Sequence, residues 1–295
     1  MKESENVIIF NIKESGMTIE EALKQDYGIS GRLFRRLQKD KQLYLNGKAS
    51  KGNVSVKKGD KIAMLMNDEV ETSIPVDIPL DIVYEDYDLL VLNKQPNVVV
   101  HPTKSHQDDT IANGVAFYFN TKKINKKVRL VNRLDMGTSG ILVIAKNSFT
   151  HQQMSKQMEE GIIEKKYQAI VAGIVGKDED IINLPIGKVE DEPMIRSVTD
   201  SGQDAITKYK VIKRLNKATL LEVEIETGRT HQIRVHMKHI GHAIIGDHLY
   251  NEQSELINRQ ALHAFSYKFI HPRTGEPKEI IANMPKDMED LLIKL

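Results

Sequence analysis

The stretch that most restricts this chain is NRLDMGTSGILVIAK, residues 132–146. Its five consecutive apolar residues, 141–145, are short, β-branched and bounded by Gly140 and Lys146, so they predict a buried strand, a rigid element of the core. Gly137 and Gly140 lie within four residues of one another, which marks a tight turn or a close backbone approach. One carboxylate, Asp135, sits on the loop just before this strand. Loops held by a rigid scaffold are where catalytic residues concentrate, but an Asp ahead of Gly and Ser also caps turns. On this stretch alone the capping role is the plainer reading, and the rest of the chain has to decide.

The chain has 295 residues, enough for one large domain or for a small and a medium one. With 40% hydrophobic and 28% charged residues it reads as an ordinary globular protein. No apolar run approaches the ~18 residues of a membrane-spanning helix. The polar start, MKESENVIIF, lacks the apolar centre of a secretory signal. There are no cysteines, which excludes disulfides, thiolate nucleophiles and Cys-based metal centres and suits a cytoplasmic protein. A net charge of +1 reveals no partner, so charge has to be read locally.

Residues 17–66 read as a separate unit. Thr18 and Glu21 form a capping box that predicts a helix from Ile19. A second helix is predicted from Gly31 to Asp40, with Leu33, Phe34 and Leu37 as its buried stripe. Arg32, Arg35, Arg36 and Lys39 make a second stripe, at i, i+3, i+4 and i+7. A strand, an Asn46-Gly47 turn and a closing strand follow. Residues 30–61 hold ten Lys/Arg against two Asp/Glu. Such an excess fits a phosphate-binding surface, the alternative being a solvated helix face; the scarcity of interleaved acids favours the former. The acidic, Pro-containing segment from Asn67 to Asp81 reads as a linker. Beyond it, IVYED, LLVLNKQ and NVVVHP predict strands. Thr110 starts a helix, and Ser148 caps another that runs through Glu159. KKYQAIVAG, residues 165–173, alternates like a strand.

A second informative stretch is LLEVEIETGRTHQIRVHMKHIGHAIIGDHLY. Leu221, Val223 and Ile225 alternate with glutamates, a half-exposed strand. Thr230 is the expected N-cap of a helix with Ile233, Met237 and Ile240 on its apolar face. His231 and Arg234 then fall at its start, where free N–H groups and the dipole attract an anion. Four histidines, at 231, 236, 239 and 242, suggest a metal. However, His231 and His236 stand about 140° apart around a helix and do not converge, and no HExxH pattern is present. No metal role is assigned to them.

These motifs, together with GQDAITKY and LHAFSYKFIHPRTGE, resemble the RluA/RluD-type pseudouridine synthases, which act on ribosomal RNA and sometimes on tRNA. The likeness covers residues 82–285, and residues 17–66 resemble the S4-like RNA-binding domain that many of these enzymes carry in front. The resemblance implies an α+β fold, a mixed and mainly antiparallel sheet with flanking helices preceded by a small S4-like α+β domain. The division it implies is residues 1–70 (core 17–66), a linker at 71–81 and a catalytic domain at 82–295. It also implies roles for single residues. Asp135 matches the catalytic Asp, Tyr167 an aromatic that packs on the target base, Arg234 the basic partner of the Asp, and Arg133 an arginine that contacts the substrate. Arg32, Arg35, Arg36 and Lys39 would bind RNA. Two positions depart from the family's habit. Asn132 stands where His commonly precedes Arg-Leu-Asp and cannot become positively charged, and Asn97 replaces a common Gly but tolerates positive φ.

The implied reaction detaches uracil from ribose C1′, turns it and reattaches it through C5. The base has to leave its stack, at a cost of a few kcal/mol, which phosphate contacts and stacking of about 1–3 kcal/mol offset. The glycosidic step needs an ionised carboxylate, as nucleophile or as base, and a permanently charged guanidinium beside it counters desolvation. No cofactor and no metal are expected. The expected substrate is RNA, 23S ribosomal RNA before tRNA, acted on by a cytoplasmic monomer with no membrane association. A non-catalytic RNA-binding ribosome-assembly factor is the rival from another class. A carboxylate-pair hydrolase is weaker, because the motif holds no second carboxylate.

Overall fold

The computed structural model describes residues 2–67, 71–190 and 192–295. Met1 and residues 68–70, which belong to the expected N-terminal unit and the expected linker stretch, lie outside the described residues.

The N-terminal segment builds a four-stranded antiparallel sheet with two helices. Its elements are β1 (Val7–Asn11), α1 (Ile19–Gln25), α2 (Gly31–Lys39), β2 (Leu43–Leu45), β3 (Lys48–Ala49) and β4 (Lys61–Leu65), in strand order β1-β4-β2-β3. The Thr18/Glu21 capping box starts α1 as expected, and Ser30 caps α2 by accepting the Leu33 N–H. Leu33, Phe34 and Leu37 are buried. Asn46 and Gly47 both take positive φ, 49° and 81°, as a tight hairpin turn requires. The sheet also takes in β1, which lies within the expected division of residues 1–70 but upstream of its expected core, 17–66.

The second unit is a ten-stranded sheet. Its strands and helices are β5 (Ile82–Glu85), β6 (Leu89–Lys94), α3 (Ile111–Thr121), β7 (Arg129–Leu130), β8 (Ser139–Ala145), α4 (Ser148–Glu159), β9 (Glu164–Ala172), β10 (Glu179–Asn183), β11 (Ile186–Val189), β12 (Glu192–Val198), β13 (Ile206–Arg214), β14 (Ala218–Ile225), α5 (Gln232–His239), β15 (Leu262–Ile270), β16 (Pro277–Ile281) and α6 (Lys286–Lys294). The order is β10-β13-β14-β9-β15-β8-β6-β5, with β16 beside β15, β7 beside β8, and β11-β12 a separate hairpin. The β8–β15 pair is parallel and the others antiparallel. The chain is therefore α+β with a mixed, mainly antiparallel sheet.

All seven residues of β8 are buried. Leu142 and Ile144 join the large core, with Ile111, Val115 and Phe119 of α3, while Ile141 and Val143 join a second core, with Met154 of α4. Cover on both faces is what an unbroken apolar run requires. Gly140, at φ 112°, lets β8 and β15 approach, since a Cβ there would stand 2.2 Å from the Ala264 oxygen. A Cβ at Gly137 would stand 2.3 Å from Gln260 Oε1.

Three local expectations are corrected. NVVVHP forms no strand; the carbonyls of Val99 and Val100 accept the Ile111 and Ala112 N–H groups and so satisfy the start of α3 instead of a neighbouring strand. Helix α4 begins at Ser148, but its cap is Asn147, which accepts the Thr150 N–H while its own amide is held by Asp88. Helix α5 begins at Gln232, after His231 and not after Thr230. Residues 71–81 have no regular structure, yet they lie along α3: Asn113 donates to the Ile74 carbonyl, and Ile78 and Leu80 sit against Gly114.

The two units are packed together. Phe149 of α4 is buried in the N-terminal core, its ring 5.7 Å from that of Phe10. Arg273 forks onto Asp88 at 2.5 and 2.8 Å and donates to the carbonyls of Ser4 and Val7. Arg36 donates to Ser148 Oγ.

Candidate active site

A cleft of about 480 Å³ opens beside the loop between β7 and β8. Arg133, Asp135, Lys165, Tyr167, His231 and Arg234 line it. The four residues expected at a catalytic centre, Asp135, Tyr167, Arg234 and Arg133, are thus brought into one cavity. The four basic residues of α2 are not among its walls.

Asp135 stands at the start of a turn closed by the Thr138 N–H on its own carbonyl, 3.0 Å away. Its carboxylate is not used to cap that turn; Oδ2 accepts from Arg234 Nη1 at 3.0 Å and stays 28% exposed to the cleft. Arg234 is nearly buried, in the first turn of α5. Its other two nitrogens fork onto Asp247, Nε to Oδ2 at 2.7 Å and Nη2 to Oδ1 at 2.8 Å. Burial opposes the guanidinium charge, but the Asp247 bonds and the Asp135 charge outweigh it and push the pKa up. The fork fixes the plane of the group, so that Nη1 is left pointing at Asp135.

Position in α5 follows from the turn before it. Gln232 Oε1 accepts from the Arg229 N–H and from Thr227 Oγ1, and its amide donates to the Ile206 carbonyl and Thr207 Oγ1 on β13. This side chain, rather than a Thr230 cap, fixes where the helix starts. Tyr167 lies on β9 opposite Ala264 and Val223 of the neighbouring strands and is 7% exposed. Burial, with the Asp135 charge second, pushes its hydroxyl well above the ordinary tyrosine range, so it stays a neutral phenol. Arg133 is exposed at the mouth.

The loop backbone carrying Asp135 is held from below by two buried basic side chains. Lys94, 1% exposed, donates to the carbonyls of Gln95, Val98 and Met136 at 2.8, 2.9 and 3.0 Å. Arg259 donates to the Gly137 carbonyl and is paired with Asp287. Burial, and then the charge of Arg259, pulls Lys94 down to about 7.

Asn132, in the position where the resemblance leads one to expect His, spends its amide on the sheet: Nδ2 donates to the Ile141 carbonyl and Oδ1 accepts the Val143 N–H. Asn97 does take positive φ, 63°. The histidines diverge. His231 Nδ1 faces Tyr250, His236 bonds Thr207 and the Leu184 carbonyl, His242 faces the Ala172 carbonyl, and His239 is exposed. A cluster with metal-ligand spacing, Asp86, Asp88 and His271, lies elsewhere; Arg273 occupies Asp88, while Tyr84 and two backbone N–H groups occupy Asp86.

Sequence reasoning missed Asp247 and Lys94. Asp247 follows Gly246 in a stretch already marked as informative, and a Gly-Asp pair after an apolar run signals a turn whose carboxylate needs a partner. Nothing local says that the partner is Arg234. Lys94 inside the apolar LLVLNK was a visible signal, since a lysine in a buried strand needs acceptors.

Residues 88–239 match the model of the RNA pseudouridylate synthase family. The chain is 38% identical, over 94% of its length and 98% of the relative's, to the uncharacterized RNA pseudouridine synthase YjbO of Bacillus subtilis. It is 36% identical to the ribosomal large subunit pseudouridine synthase D of Buchnera aphidicola, over 86% of this chain and 85% of that one. Among solved structures, human RNA pseudouridylate synthase domain containing 1 superposes with a TM-score of 0.60 at 26% identity, covering 72% of this chain and 86% of that one.

Two outcomes follow from the buried charges. Asp247→Asn leaves Arg234 paired with Asp135 alone and weakens a charged fork to a neutral contact, and should cost about 1.5–3 kcal/mol of stability in urea unfolding; a loss under about 0.5 kcal/mol would show that the fork is dispensable. Lys94 titrates near 7 folded and near 10.5 unfolded. Between those values the unfolded chain binds the extra proton, so stability rises with pH there and is unaffected below. Measured against Lys94→Met, the protein should therefore gain stability from about pH 7 to about pH 9. A flat difference would place Lys94 as a charged ammonium throughout.

Proposed function

Because the chain belongs to the RluA/RluD-type RNA pseudouridine synthase family, we propose that it isomerises uridine in large-subunit ribosomal RNA, with Asp135 as the catalytic carboxylate. The observation that carries the reading is the Asp135–Arg234 contact in a cleft walled by Tyr167. Isomerisation breaks the bond from C1′ to N1, turns the base and forms the bond from C1′ to C5; C5 loses its proton and N1 takes one up, so the composition is unchanged. Asp135, anchored by one arginine nitrogen and open to the cleft, is placed to meet the sugar as nucleophile or base. Tyr167, a neutral ring, offers the base a face. Arg133 at the mouth suits the phosphate backbone. No metal and no cofactor enters this chemistry.

Support for a ribosomal substrate comes from the relatives named as large-subunit synthases; tRNA is the second reading. The protein acts as a cytoplasmic monomer in this proposal. No described helix is long and apolar enough to cross a membrane. Residues 1–70 serve as an S4-like RNA-binding domain joined through 71–81 to the catalytic domain, 82–295. Arg32, Arg35 and Lys39 are exposed on α2 with its apolar stripe turned inward, which suits phosphate contacts.

Tritium release from RNA labelled at uracil C5 tests the catalyst. Asp135→Asn should lose at least about 10³-fold in rate, and turnover near that of the parent would remove Asp135 from the role. The same assay on ribosomal and tRNA transcripts separates the two substrates. For the basic helix, replacing Arg32, Arg35 and Lys39 by Gln should weaken RNA binding and flatten its salt dependence, the slope falling by about 1 for each phosphate no longer neutralised. An unchanged slope would assign the stripe to solvent.

A further inference from the structure

His231 lines the cleft from a left-handed backbone, φ 59° and ψ 18°. It opens α5 with no side-chain cap bond, so the chain accepts local strain to hold an imidazole there. Its ring meets Tyr250 edge-on, with centroids 5.6 Å apart. Nδ1 lies 2.9 Å from Tyr250 Oη, and Nε2 lies 3.9 Å from Asp135 Oδ2, beyond hydrogen-bond reach.

The protons can be counted. Tyr250 is 4% exposed, packed with Ile186, Ala205 and Val235. Its hydroxyl oxygen accepts the Arg196 backbone N–H at 2.8 Å. That leaves the hydroxyl's own proton in need of an acceptor, and the His231 Nδ1 lone pair is the one in reach. Were Nδ1 to carry the proton instead, the phenol would face two donors while its own proton had nowhere to go, at the cost of a buried unsatisfied group. Burial also holds the imidazole below its usual pKa, which keeps it neutral. The ring proton therefore sits on Nε2, and Nε2–H faces the cleft with no acceptor among the described residues.

A neutral imidazole that is free to exchange tautomers would accept as readily as it donates. Tyr250 removes that freedom, and a locked donor matters only where a donor and an acceptor have to be told apart. On a pyrimidine ring that position is C4, a carbonyl in uracil and an amino group in cytosine; O2 is common to both. We propose that His231 Nε2–H reads the O4 carbonyl of the extruded uracil, with Tyr250 as the positioning residue that fixes its tautomer. The inference rests on the pseudouridine synthase reading of this cleft.

The test pairs a substrate atom with a side chain. Large-subunit ribosomal RNA transcripts are made with C5-tritiated uridine or C5-tritiated 4-thiouridine, whose sulfur is a poor acceptor, and tritium release is followed under single-turnover conditions. The variants are His231→Asn, which suits the left-handed backbone but is too short to reach the base, and Tyr250→Phe, which keeps the ring and drops the lock. The unaltered protein should slow about tenfold on the thio transcript. His231→Asn should be slow on uridine by a similar factor and show no further thio effect. Tyr250→Phe should fall between, and RNA affinity should stay the same for all three. A full thio effect retained in His231→Asn, or none in the unaltered protein, overturns the O4 contact. No release by the unaltered protein on uridine transcripts would instead strike the proposed function itself.

Discussion

One guanidinium, that of Arg234, organises the functional end of this molecule. It is 5% exposed and shared by Asp247, which has no exposure, and Asp135, which has some. A buried cation with too few anions is costly, and so is a buried carboxylate without its cation. The three charges therefore hold each other in place, and they join segments 99 and 13 residues apart. The fork to Asp247 leaves a single N–H for Asp135, so the carboxylate is gripped at one oxygen and open at the other. Such a half-grip suits the role proposed for Asp135, that of a group oriented and still free to react.

The position of Arg234 depends in turn on features with no charge. Gln232 ties the first turn of α5 to β13, and Gly246, at φ 76°, brings the Asp247 turn against Arg259, where a Cβ would stand 2.2 Å from the carbonyl oxygen. On the other side the Asp135 loop hangs from carbonyls gripped by Lys94 and Arg259. The loop is thus clamped through its backbone from below and through its side chain from above. That arrangement explains why an Asp among small residues at 135–140 is not a turn cap. The turn closes on the backbone carbonyl, which frees the carboxylate for Arg234.

What the sequence made legible was local. The capping box at Thr18, the Asn46-Gly47 turn, the buried strand at 141–145 and the alternation through Leu221, Val223 and Ile225 each depend on neighbours within a few residues, and each is present. The failures are equally physical. NVVVHP has strand composition, but its carbonyls are claimed by α3. Thr230 has the chemistry of a cap, but Gln232 decides where the helix begins, and it acts through Ile206 and Thr207, more than twenty residues away. The convergence of Asp135, Tyr167, Arg234 and Arg133 on one cleft was legible only through family resemblance; spacing alone could not place them, because the β8–β15 and β9–β15 pairings that assemble the cleft are long-range.

The seam between the two units bears on how such a cleft meets a large polymer. Adjoining domains move against each other unless their interface is substantial and apolar. Here Phe149 enters the N-terminal core, and Arg273 pairs with buried Asp88 while donating to backbone carbonyls of residues 4 and 7. An aromatic side chain in a foreign core and a paired buried charge resist sliding in different ways, one through apolar burial and the other through direction. The basic face of α2 is consequently held at a set distance and angle from Asp135 before any RNA arrives. A surface that contacts phosphates carries no sequence information by itself. In the RNA-binding role proposed for α2, a face fixed relative to the cleft would select, because only an RNA whose backbone reached both places at once would receive the full attraction.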